Sequence, residues 1–267
     1  MTALGRIYGV LVKTDLAVMM QYRAAMLIYL IFGVLQPVVY LVVWLTVAEA
    51  RGGTVGDFDK GGLAAYYIAF MLVSHVTFDW HMFEMGWRVR SGSFSPILLQ
   101  PLHPLHRDLS ENVSYKLLTL SVMLPVAAFL VWFFEPSFPS SAWAWVAFLP
   151  ALVLAFLVRF LVEWTVALLA FWITDTSGLN QVYFIAVTFL AGRMAPLSLM
   201  PEWVQKAAGV LPFKWMVAFP VELLLGRLTP REAVDGFIAQ GAWLVLALAV
   251  LGLSWNRAVK RYSAVGA

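Results

Sequence analysis

Six long stretches of this chain carry no charged side chain. They span residues 24–48, 61–78, 117–134, 136–158, 176–192 and 236–256, which are 25, 18, 18, 23, 17 and 21 residues long. A helix rises about 1.5 Å per residue, so roughly 20 apolar residues cross a hydrocarbon core about 30 Å thick. Lipid offers the backbone no hydrogen-bond partner, and a lone segment satisfies its own amides and carbonyls only as a helix. The stretches therefore predict an all-α, polytopic membrane protein with six transmembrane helices in a single domain over 1–267.

Composition agrees. The chain is 62% hydrophobic and 12% charged, with a mean hydropathy of +0.82, whereas a soluble domain carries about 25% charged residues. Twelve Trp and nine Tyr suit aromatic anchors at the headgroup level. With no cysteine, disulfides, thiolate metal sites and cysteine nucleophiles are excluded. The first stretch, behind Arg6, Lys13 and Arg23, is 25 residues long. Secretory h-regions run about 7–15 residues, so it is expected to stay as the first span.

The net charge is only +3, and its placement says more than its size. Arg6, Lys13 and Arg23 precede the first span. Arg88, Arg90, Arg107 and Lys116 lie between the second and third, and Arg257, Lys260 and Arg261 come after the last. These ten face seven on the other side, five of which share one long segment with Glu202, Glu222, Glu232 and Asp235. Long loops weigh less in the positive-inside rule, so both termini are expected in the cytoplasm.

The spans are unequal. The fourth apolar region runs on past Arg159 and Glu163 to Trp172, longer than a membrane requires. The fifth is interrupted by Gly192, Arg193 and Pro196, and Pro201, Pro212, Pro220 and Pro230 divide the sequence beyond it. Region 193–235 is therefore expected to form short helices, 202–210 and 219–225, that dip into the outer leaflet and return. Near the start, Leu4, Ile7, Tyr8 and Leu11 share one face, predicting an amphipathic interfacial helix over 1–23.

Three polar groupings stand out. Arg159 and Glu163 are four apart and so share a helical face. The pair reads either as a polar lining or subunit contact at the cytoplasmic mouth, or as a self-neutralising pair near the headgroups. His75, Asp79 and His81 crowd the end of the second span, but His81 falls about 240° round the helix from His75. The three are expected to be interfacial polar residues, with no metal site. His103 and His106, in a proline-rich turn, are expected at the surface. No phosphate loop, zinc-protease motif or nucleophile elbow occurs, so no catalytic, cofactor or metal residues are assigned. Any nucleotide must be bound by another chain.

The connector over 88–107, RVRSGSFSPILLQPLHPLHR, is unusually apolar for its position. As a short helix it would carry Phe94, Ile97 and Leu98 on one face, the form in which a helix fills a partner's groove.

These features together resemble the type-2 ATP-binding-cassette permeases, in the six-span uncharacterised-transport branch. The matching residues are Arg90-Ser91-Gly92, then Ile97 through Pro101, Phe171-Trp172, Gly192, Pro196-Leu197, Pro201, Leu211-Pro212-Phe213, Pro220 and Gly226. Where relatives often have an acidic residue after the loop glycine, this chain has Ser93. The resemblance implies that 86–111 is a cytosolic coupling loop touching the ATPase through Gly92, Phe94, Ile97, Leu98 and Pro101. It implies that the re-entrant region closes the path outside, with Gly192, Pro196, Pro212 and Phe213 as an external gate.

The function so implied is that of a non-catalytic permease subunit of an ATP-driven exporter, in the bacterial inner membrane. Expected partners are two copies of an ABC ATPase, which would hold ATP and Mg, a second permease, identical or related, and membrane lipid, with no nucleic acid. The rival from another class is a secondary transporter or channel that needs no ATPase. It would want charged residues deep in several spans, where only Arg159 and Glu163 qualify.

Overall fold

The computed structural model describes residues 3–138, 141–173 and 175–262. The first two positions of the expected 1–23 helix, and the outermost residues of the 1–267 domain, lie outside these. Helix α1 (Ala3–Gln21) turns at Tyr22 into α2 (Arg23–Ala50). A two-residue hairpin, β1 (Thr54–Val55) and β2 (Phe58–Asp59), leads into α3 (Lys60–Thr77) and α4 (His81–Arg90). The short α5 (Ser95–Leu98) precedes α6 (Pro104–Phe134) and α7 (Ala142–Ala167), and a 3-10 turn extends α7 to Phe171. Then come α8 (Ser177–Leu190), α9 (Glu202–Val210), a π-turn over Lys214–Ala218, α10 (Phe219–Leu224) and α11 (Pro230–Arg261).

Among the described residues, five helices are long and apolar enough to span a membrane: Arg23–Ala50, Lys60–Arg90, Pro104–Phe134, Ala142–Phe171 and Pro230–Arg261. The fifth expected span, α8, has only 14 residues and rises about 21 Å, short of the hydrocarbon thickness. The continuation of the fourth region past Glu163 is present, for Ala142–Phe171 is 30 residues long. After α8, Glu202–Val210 and Lys214–Leu224 meet at 83°, and Pro212 sits buried at that bend.

Helix α3 lies at the centre. In the apolar stretch of the Lys60–Arg90 span 61% of residues are buried, against 11% in α2. Ala64, Ala65 and Ala69 are buried on α3, small residues of the kind found where membrane helices pack closely. Asp59 starts the helix by accepting from the Gly62 amide at 2.6 Å. The start of α11 is fixed by a reciprocal capping box between Thr229 and Glu232.

The bundle has two distinct ends. At one, Tyr8 hydrogen-bonds His106 at 2.7 Å, Ser110 donates to Asp15 at 2.9 Å, and Ser95 meets the Tyr262 hydroxyl at 2.6 Å. That brings α1, the 88–107 connector and the end of α11 together, the three segments that carry eight of the ten basic residues in the larger group. At the other, Arg227 donates to the Asp57 carbonyl at 2.8 Å and lies 3.4 Å from the Phe58 ring centre, tying the hairpin to the loop after α10.

Candidate functional site

Between α3 and α4 the helical backbone is interrupted at residues 78–80. The freed Phe78 carbonyl accepts from Lys116 Nζ at 2.7 Å and Asn112 Nδ2 at 3.3 Å, so α6 supplies the hydrogen bonds the break removes. Asp79 accepts from Asn112 Nδ2 at 2.9 Å and pairs with His81 Nδ1. Lys116 also donates to Asn112 Oδ1. The expectation of interfacial side chains is thus corrected: Asp79 and His81 are fully buried, and Lys116 is interior rather than a loop cation. His75 points elsewhere, to Thr119 at 2.8 Å.

The polar core continues through α7. Arg159 Nε donates to Glu163 at 2.8 Å, Arg159 Nη1 donates to Thr77 at 3.0 Å, and Tyr183 of α8 donates to Glu163 at 3.0 Å. Both charged residues are buried. The pair neutralises itself inside the bundle, where it joins α3, α7 and α8. At the next residue along α7, Trp164 Nε1 donates to Asp108, which Arg88 also holds at 2.9 Å. Asp108, Asn112, Lys116 and Thr119 form one face of α6, and their spacing of four, four and three is the signal in the sequence that could have revealed this core.

At the loop end, the expected outward face of Phe94, Ile97 and Leu98 is not formed. Phe94 is fully buried, in edge-on contact with Phe171, Trp255 and Tyr262. Ile97 and Leu98 pack against the same core. Gly92 takes a positive φ of 74° and turns the chain so that the Phe94 amide reaches back to the Arg88 carbonyl. Ser93 likewise turns inward, bonding Ser91 and the Arg88 carbonyl. The side chain offered outward is Leu99, 87% exposed, beside the exposed Gln100 and Pro101. A groove next to it is bounded by Leu98, Leu102, His103, Trp255 and Val259.

His103 and His106 are not free surface residues. The His103 ring lies 4.4 Å from that of Trp255 and 5.8 Å from that of Trp164, and its Nδ1 accepts from the Leu105 amide at 3.2 Å to start α6. Burial, with the neighbouring His106, holds its pKa below the usual 6.5, against an opposing pull from Asp108. Burial also lifts the Asp15 carboxyl above its usual range, against the hydrogen bond from Ser110.

At the opposite end, Gly192 takes φ 80° and is buried, its carbonyl accepting from Tyr66 at 2.8 Å. The Met194 carbonyl accepts from Trp44 Nε1 at 2.9 Å and Tyr67 at 3.0 Å. Pro196 is buried next to this segment, and the rings of Phe213 and Tyr183 lie 5.6 Å apart. The four residues assigned to an external gate are thus spread over one connected region, pinned to α2, α3 and α8.

The described residues form a bundle of five long apolar helices, with the short α8 followed by a bent helix pair. The chain matches the family model described as ABC-2 family transporter protein over residues 34–266, and it belongs to that family. It is a multi-pass membrane protein and the permease component of a transporter whose class works with an ABC ATPase. No curated protein matches the chain.

Proposed function

We propose that this chain is the permease half of an ATP-driven exporter, in which two permeases, identical or related, join two copies of an ABC ATPase that hold ATP and Mg. The observation that carries the reading is the loop end. An apolar connector is locked into the bundle through Phe94, and it leaves Leu99, Gln100 and Pro101 standing out beside a groove. A rigidly held protrusion of that kind passes a push from a docked partner into α4, α6 and α11, whereas a floppy loop would absorb it. The open flank of α2 is available to the second permease. The cytoplasmic side is assigned to the loop end because the basic residues gather there. The bend at Pro212 and the pinned turn at Gly192 and Pro196 form the outer closure, with Phe213 packed beneath it.

The test is reconstitution of the permease with its ATPase in proteoliposomes, using fluorescent lipid and amphiphilic drug analogues as cargo. ATP should drive the probes from the ATPase side to the opposite side. Flux that persists without ATP, or that runs toward the ATPase, would contradict the proposal.

A further inference from the structure

His81, Asp108 and Glu111 face one another where α4 and α6 meet, and their donor atoms lie within 4.8 Å of each other. His81 Nδ1 is engaged by Asp79, which Asn112 holds in turn. A hydrogen on Nδ1 leaves Nε2 with a bare lone pair. That atom is buried without a hydrogen-bond partner, and it is aimed at two carboxylate oxygens, Asp108 Oδ1 and Glu111 Oε2, each 3.7 Å away. In that tautomer three lone-pair donors converge and repel one another, and either a second ring proton or a cation in the middle removes the conflict.

We propose that His81, Asp108 and Glu111 bind a borderline divalent cation of the Zn²⁺ class. The distances suit it. Zn–N and Zn–O bonds of about 2.0–2.2 Å place two ligands of a tetrahedral ion roughly 3.3–3.5 Å apart. The two 3.7 Å separations from His81 Nε2 are too long for hydrogen bonds and close on an ion with a shift of a few tenths of an ångström, while the two carboxylate oxygens, within 4.8 Å of each other, draw together onto it by side-chain rotation. Asp108 and Glu111 stand three apart on α6 and so share a face. The Asp79–His81 contact is the carboxylate–histidine pair that orients metal-binding imidazoles.

Charge points the same way. Four carboxylates, Asp79, Glu84, Asp108 and Glu111, surround two basic side chains, Arg88 and Lys116, which leaves two negative charges for a divalent ion to neutralise. Arg88 occupies one side of Asp108 Oδ1, but a carboxylate oxygen has a second lone pair to offer. The Glu111 side chain is 33% exposed and gives the ion its way in. An imidazole among the ligands favours Zn²⁺ over Mg²⁺ or Ca²⁺. The bound ion would fasten α4 to α6, and through the Trp164–Asp108 bond to α7, directly above the connector that leads to α5.

The test uses the full chain without a histidine tag, stripped with EDTA in lipid nanodiscs and titrated with Zn²⁺. One Zn²⁺ should bind per chain, and ¹⁵N-histidine NMR should show one imidazole becoming metal-bound at Nε2 while keeping its Nδ1 proton. Asp79→Asn should weaken binding by about 10- to 100-fold, Glu111→Gln should weaken it at least as much, and His106→Gln should leave it unchanged. The wild-type stoichiometry and spectrum decide the matter even where a variant folds poorly. A stripped wild-type chain that binds no Zn²⁺, with this imidazole doubly protonated instead, would overturn the proposal. So would binding that Glu111→Gln leaves intact or that His106→Gln abolishes.

Discussion

Arg159 donates its Nε to Glu163 Oε1 at 2.8 Å, one turn along the same helix and shut inside the bundle. Removing one partner strands a buried charge, which costs about 3–5 kcal/mol, whereas replacing both with packed apolar residues is often neutral. Arg159→Leu alone should therefore lower the thermal stability of the purified permease sharply, and Arg159→Leu with Glu163→Leu should recover most of the loss. Additive losses in the double variant would show that the two residues act separately.

Phe94 belongs to the core and not to a docking face. Phe94→Ala should destabilise the protein by about 3–5 kcal/mol, seen as a lowered melting temperature in nanodiscs with no ATPase present. A variant as stable as wild type, yet unable to hold a partner, would return Phe94 to the surface.

The His103 cap titrates. Its folded pKa lies below the usual 6.5, so the unfolded state binds more protons in that window and stability falls as the pH drops through it. Protonation also removes the lone pair that accepts from the Leu105 amide. Protection factors at the first turn of α6, which are exchange rates corrected for the intrinsic pH dependence of the amide, should fall as the pH drops from about 7 toward 5. His103→Asn caps without titrating and should flatten the dependence. An equally steep profile in His103→Asn would place the effect elsewhere.

A Cβ at Gly192 would stand 2.3 Å from the Tyr66 hydroxyl, on a backbone of φ 80°. Gly192→Ala should lose stability both to the clash and to strain of about 1–3 kcal/mol. Tyr66→Phe removes the clash but also the hydrogen bond to the Gly192 carbonyl, so Gly192→Ala is made in the Tyr66→Phe background and should there cost only the strain. No loss in that background would mean that the positive φ carries no cost.

Much of the architecture was legible because bilayer thickness and charge are one-dimensional constraints. The run from Ala142 to Phe171 and the helix Glu202–Val210 could be placed by counting and by proline position. The polar core was less legible. Asp79 and His81 read as interfacial residues and Lys116 as a loop cation, because nothing local reveals that the helix breaks at residues 78–80 and that α6 packs its polar face against the break. The α6 spacing of Asp108, Asn112 and Lys116 did hold that information. Phe94 misled for a related reason: its exposure depends on Phe171, Trp255 and Tyr262, far away in sequence and brought close only by the fold.

The claim that the loop end receives an ATPase is tested most directly by purifying the tagged permease from its native membranes and identifying what comes with it. The account predicts an ABC ATPase in equal copy number with wild type. It also predicts loss of that ATPase with Leu99→Asp, a change at an exposed position that leaves insertion and stability intact. A wild-type permease recovered without an ATPase, or an ATPase held equally well by Leu99→Asp, would contradict it.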